Sequence, residues 1–126
     1  KRLSATVGQG GGGQARQMMT QAVLKIGPLE YTVTGVANLV DEKGSGLDGN
    51  LSFSEDIINI NSCLGNQPAL VTLWHEIFHA ILTQSGHQAA SNDEGMVDAL
   101  AHGIIEVLID NPRLIQATEK FFSGKT

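Results

Sequence analysis

The fold class the sequence predicts is α+β, and three observations point to it. Strand-type segments occupy the stretch from Gln21 to Asn61, two long helix-type segments fill the second half, and 126 residues with 41% hydrophobic content suit a single core. Strands that precede helices in blocks, without alternating, favour a small antiparallel or mixed sheet packed on helices over a doubly wound sheet.

Residues 1–19 hold the run Gly8-Gln9-Gly10-Gly11-Gly12-Gly13-Gln14. Backbone freedom of this kind is costly to freeze without side chains to bury, so a flexible arm or linker is expected there and the domain itself over residues 20–126. The run is not read as a phosphate loop, because no Lys-Ser or Lys-Thr follows it. From Gln21 to Asn38, Val23, Ile26, Tyr31, Val33 and Val36 favour strand, and Gly27-Pro28 between them predicts two strands around a tight turn. Gly44, Gly46 and Gly49 with Asp48 and Asn50 mark a loop. Leu51-Ser52-Phe53 and Ile57 to Asn61 are two further strands about the turn Ser54-Glu55-Asp56.

Pro68 suits a first helical turn with Asn66 as its cap, and Leu70, Leu73, Trp74, Ile77, Phe78 and Ile81 recur at helical spacing until Gly86. A second helix is predicted from Ser91, whose pairing with Glu94 reads as a Ser-x-x-Glu capping box, through Val97, Leu100, Ala101, Ile104, Ile105 and Leu108 to Asn111-Pro112. Pro112 opens a short third helix ending near Gly124.

Composition narrows the function classes. No apolar run approaches the roughly 20 residues of a membrane span, and the first residues lack the pattern of a signal peptide. The net charge of −5 and the lack of clustered Lys and Arg beyond Lys1-Arg2 argue against direct nucleic-acid binding. The single cysteine, Cys63, excludes an internal disulfide and a Cys-based zinc cluster. It is read as a small buried hydrophobe, in a reducing, cytoplasmic setting.

The chemistry is concentrated in His75-Glu76-Ile77-Phe78-His79. Residues four apart on a helix share a face about 6 Å along the axis, so both imidazoles aim at one point. Neutral imidazole binds Zn²⁺ at about 2.0–2.1 Å, and a catalytic site takes three protein ligands and leaves a position for water. Glu76, on the adjacent face, is the expected general base. Two histidines and a glutamate on an apolar helix are expensive to bury unless paired or metal-bound, which favours one catalytic zinc over a satisfied core.

Four residues compete for the third ligand: Glu94, Asp98, His87 and His102. A three-histidine site needs Gly and His where Leu82 and Ser85 stand, so His87 is read as a loop histidine. Glu94 is preferred over its capping role, with Asp98, one turn on, orienting a ligating histidine, and His102 the alternative ligand. Tyr31, His87 and His102 are the candidates to stabilise the oxyanion of a peptide hydrolysis. The strand Ile57 to Asn61 is a candidate for edge pairing with an extended substrate.

His75, Glu76, His79, Glu94 and Asp98 together resemble the gluzincin peptidases. The Trp74 to Ala80 helix followed by Asp93-Glu94-Gly95 to Ala101 is similar to the ImmA/IrrE-like metallopeptidases of bacteria, phages and mobile elements, over roughly residues 20 to 112. The resemblance implies a minimal zincin-like fold and a zinc metallopeptidase (a hydrolase) performing limited proteolysis of a regulatory protein such as a repressor. Gly95-Met96-Val97 departs from the Ala-rich stretch common after the Glu ligand in those relatives, and the DNA-binding helix pair that some carry is not found here. The alternative is a zinc-binding regulatory or interaction module of the same fold with little or no proteolysis.

Overall fold

The computed structural model describes residues 6–8 and 19–123 and is α+β, with one mixed sheet and four helices. The strands are β1 (Thr6–Gly8), β2 (Met19–Ile26), β3 (Leu29–Val36), β4 (Gly49–Ser52) and β5 (Ile57–Asn61), in the order β1-β2-β3-β5-β4. Thr6–Gly8, within the stretch read as an arm, pairs antiparallel with β2; the rest of that stretch before Met19 lies outside the described residues.

The β2–β3 hairpin turns at Gly27-Pro28 as predicted. Ile26 pairs with Leu29 across the two turn residues, and Gly27 has φ +59°, a conformation that glycine adopts without a Cβ clash. β5 runs parallel to β3 and antiparallel to β4, so it lies inside the sheet. The expectation of edge pairing at Ile57 to Asn61 is thereby corrected: both sides of β5 are occupied, and β4 is the terminal strand. The apolar–polar alternation from Ile58 to Asn61 buries Ile58 and Ile60 on one face of β5.

Helix α1 (Asn66–Gln84) crosses that face, and Ile77 and Ala80 close a core with Ile26, Tyr31, Ile58 and Ile60. Its N-cap is Gly65 rather than the expected Asn66, which is already helical, and Pro68 occupies the first turn. Gly86, at φ +82°, stops it. A short turn of helix, α2 (Gln88–Ser91), leads to α3 (Glu94–Asp110), which packs on α1 through Val97 and Ala101. α4 (Leu114–Phe122) follows the Asn111-Pro112-Arg113 link.

The predicted Ser91–Glu94 capping box does not form. Ser91 closes α2 and is buried, while Asp93 is the N-cap of α3, its carboxylate accepting from the Met96 N–H at 3.1 Å. Cys63 is exposed, not buried, because it sits in the turn between β5 and α1 and not on the sheet face. Among the described residues no helix is long and apolar enough to cross a membrane.

Candidate metal centre

The apolar face of α1 turns Ile77 and Ala80 to the sheet, which leaves His75, Glu76 and His79 along the flank facing α3 and β4. Both histidines are largely shielded, with side-chain exposures of 19% and 14%, whereas Glu94 reaches them from the first turn of α3 at 69% exposure. His75 Nε2 lies 2.8 Å from Glu94 Oε1, His79 Nε2 lies 3.2 Å from the same oxygen, and the two Nε2 atoms are 3.1 Å apart. The asymmetric roles of neighbouring acids explain how Glu94 is available: Asp93 caps the helix, so the Glu94 carboxylate is not consumed at the helix end.

The partners of the far ring nitrogens assign the tautomers. His75 Nδ1 is 3.3 Å from Asp98 Oδ1, and an ionised carboxylate only accepts, so Nδ1 carries the proton. His79 Nδ1 is 3.0 Å from Ser91 Oγ. That hydroxyl accepts from Thr83 Oγ1 at 3.2 Å and can direct its own proton to the His79 carbonyl at 3.5 Å, which leaves it to accept from Nδ1–H. In this scheme both Nε2 atoms present lone pairs to Glu94 Oε1.

With those tautomers, three acceptor atoms converge on one point. A single proton relieves one of these contacts; a cation relieves all three. Donors held at about 2.0–2.1 Å in a tetrahedron stand roughly 3.3 Å apart, close to the 3.1 and 3.2 Å spacings here and about half an ångström beyond the 2.8 Å one. His75, His79 and Glu94 form the cluster with metal-binding geometry found among the described residues.

Glu76 is buried beside this cluster and is not part of it. Burial pushes its carboxyl up to about 7; His75 opposes the rise and Glu94 adds to it. The carboxylate lies beneath β4 at Gly49, where an added Cβ would stand 2.5 Å from Thr72 Cγ2, 2.9 Å from the Asn59 carbonyl and 3.5 Å from Glu76 Oε2. Only glycine lets the edge strand come this close to the α1 acid. A cleft runs along β4 on both sides of His75 and Glu76. One end, of about 730 Å³, includes Asp48, Asp98 and His102; the other, of about 470 Å³, includes Leu51, Phe53, Ser91 and Glu94.

The remaining sequence candidates fall in different places. His102 lines the cleft, with Nδ1 held 3.0 Å from the Asp98 carbonyl, but is outside the three-donor cluster. Tyr31 does not reach the cleft: the alternation of β3 sends it into the core, fully buried, with its hydroxyl accepting from Gln84 Nε2 at 3.1 Å. His87 stands at the α1–α2 turn, 3.4 Å from Ser85 Oγ, and does not line the cleft. Two residues at the site were not anticipated. Ser91 had a competing explanation as a helix cap, and Gly49 was read only as a loop marker, although a glycine opening a strand is a signal of close approach.

Comparison of the chain with protein-family models, with curated proteins and with solved structures finds no match. The functional reading therefore rests on the geometry of the site.

Proposed function

We propose that this protein is a zinc-dependent metallopeptidase of gluzincin type with a minimal zincin-like fold. His75, His79 and Glu94 are its metal ligands, and Glu76 is its general base. The observation that carries the reading is the convergence of two Nε2 lone pairs and one carboxylate oxygen beside a buried acid. Asp98 and Ser91 support it by fixing the tautomers of the two histidines.

A zinc ion held there supplies Lewis acidity, lowering the pKa of a water and polarising a carbonyl. The protein's own residues do the rest. Glu76, buried and beside the cluster, takes a proton from the attacking water and delivers it to the departing amine. The free edge of β4 offers backbone groups to an extended peptide, aligning its scissile bond past Glu76. His102, the one oxyanion candidate that lines the cleft, is the donor assigned to the negative oxygen. Space on both sides of His75 and Glu76 suits an extended segment that runs past them, in keeping with limited proteolysis of a regulatory protein such as a repressor. The lone exposed Cys63 suits a reducing, cytoplasmic compartment.

Metal analysis and cleavage assays test this together. Protein purified without chelators is expected to hold stoichiometric zinc, Glu94→Ala to lose it, and Glu76→Gln to keep it while losing cleavage of a proteome-derived peptide library. Absence of stoichiometric metal overturns the reading. Zinc without cleavage in the native chain leaves a zinc-binding module in its place.

A further inference from the structure

α4 has no buried residue, and among the described residues no strand or helix of its own copy packs extensively against it. Its apolar side chains nevertheless form a stripe. Leu114, Ile115, Thr118, Phe121 and Phe122 recur at the spacing of one helix face, and Phe121 and Phe122 are 74% and 87% exposed. A stripe of this kind on a helix that buries nothing marks a contact surface.

A second stripe lies on α3. Val97 and Ala101 face α1 and are fully buried, but Met96, Leu100, Gly103 and Val107 run along the adjacent flank at spacings of four, three and four. That is the spacing of a helix–helix seam, and Met96, Leu100 and Val107 are all exposed. The flank lies on the side of α3 opposite Glu94 and Asp98, so it is separate from the metal centre. At Gly103 an added Cβ meets nothing within 4 Å, leaving a gap in the seam between Leu100 and Val107 that can admit an aromatic side chain.

The two stripes differ in charge. Residues 111–126 carry Arg113, Lys120 and Lys125 against one carboxylate, Glu119, although the chain as a whole has a net charge of −5. The α3 seam is bordered by Glu106 and Asp110. The helix itself is balanced, with Lys120 against Glu119, but the segment that carries it has a net charge of +2 and is attached to an acidic body that bears an apolar seam of matching periodicity.

We propose that α4 of one copy docks on the Met96–Leu100–Gly103–Val107 seam of a second copy, and that the second copy returns the same contact. The exchange is reciprocal, so it closes as a twofold dimer and leaves no stripe exposed to recruit further copies. Apolar seam meets apolar seam, and Lys120 approaches the Glu106 and Asp110 carboxylates of the other copy. An anionic membrane is a poorer occupant, because it would repel the acidic body that the helix brings to its surface.

Sedimentation velocity on the full chain, with metal content measured in parallel, tests the contact. The native chain is expected to sediment as a dimer at tens of micromolar. Phe121→Ser/Phe122→Ser and, independently, Val107→Glu should each raise the dimer dissociation constant by roughly tenfold or more while far-UV circular dichroism and zinc content stay unchanged. Carbodiimide cross-linking of an equal mixture of ¹⁴N and ¹⁵N protein should join Lys120 to Glu106 or Asp110 in mixed-label pairs. A monomeric native chain, a dimer indifferent to both variants, or same-label cross-links alone, which would mean that α4 folds back on its own α3, overturns the proposal. None of these readouts depends on peptidase activity.

Discussion

Glu76 makes the metal-free protein's stability depend on pH in a direction opposite to that of an ordinary paired carboxylate. Burial raises its carboxyl from 4.5 to about 7. Between those two values the unfolded chain has released the proton and the folded chain has kept it, so stability falls as pH rises through this window and levels off above about 7. A difference of about 2.5 units at about 1.4 kcal/mol each corresponds to a loss of roughly 3 kcal/mol in the folded state, an upper figure because water and side chains relax around the charge. Glu76→Gln removes the titration. Urea unfolding of chelator-treated protein from about pH 5 to pH 8 is therefore expected to show the variant gaining on the native chain as pH rises, by up to about 3 kcal/mol. Added zinc favours the ionised carboxylate and should shrink the gap. A native-minus-variant difference that stays flat with pH would refute the assignment of the raised carboxyl to burial of Glu76.

Three other outcomes follow from the geometry. Ser91→Ala removes the hydroxyl that accepts from His79 Nδ1, so zinc affinity measured by competition with a chelator should fall roughly 10–100-fold with the ligands themselves intact. Gly49→Val forces a side chain against Thr72 and the Asn59 carbonyl and should cost about 1–3 kcal/mol in urea unfolding, together with cleavage activity; an unaltered midpoint would mean that β4 moves freely away from α1. Asp93→Ala removes the cap of α3 and should cost about 1 kcal/mol, whereas Ser91→Ala should leave helix capping untouched.

The histidine pair was legible in the sequence because four residues on a helix is a fixed distance: once α1 forms, His75 and His79 share a face whatever the rest of the chain does. The same holds for Glu76, whose place beside them follows from the helical turn, and for the β2–β3 hairpin, dictated by Gly27-Pro28. Residue type also marked Ile57 to Asn61 as a strand, and the structure added which face Ile58 and Ile60 occupy. Helix ends were less legible, since Ser91 and Asp93 both satisfy cap chemistry and only one stands where α3 begins. Cys63 was misplaced for a related reason: its type favours burial, but its position in a turn exposes it.

What lay beyond local rules depended on how distant segments meet. Glu94 and Ser91 are close to His75 and His79 because α3 packs on α1 through Val97 and Ala101, a contact that no spacing within either helix encodes. The sheet order placed β4 rather than β5 at the free edge, and brought Gly49 over Glu76 so that the acid is desolvated. The face of β3 that α1 covers took Tyr31 into the core. The sequence alone determined which side chains could bind a cation and act as a base, because those are properties of residue type and helical geometry. Which carboxylate completes the cluster, which hydroxyl orients His79 and how strongly Glu76 holds its proton were decided by tertiary packing, because each depends on burial and on contacts between elements far apart in the chain.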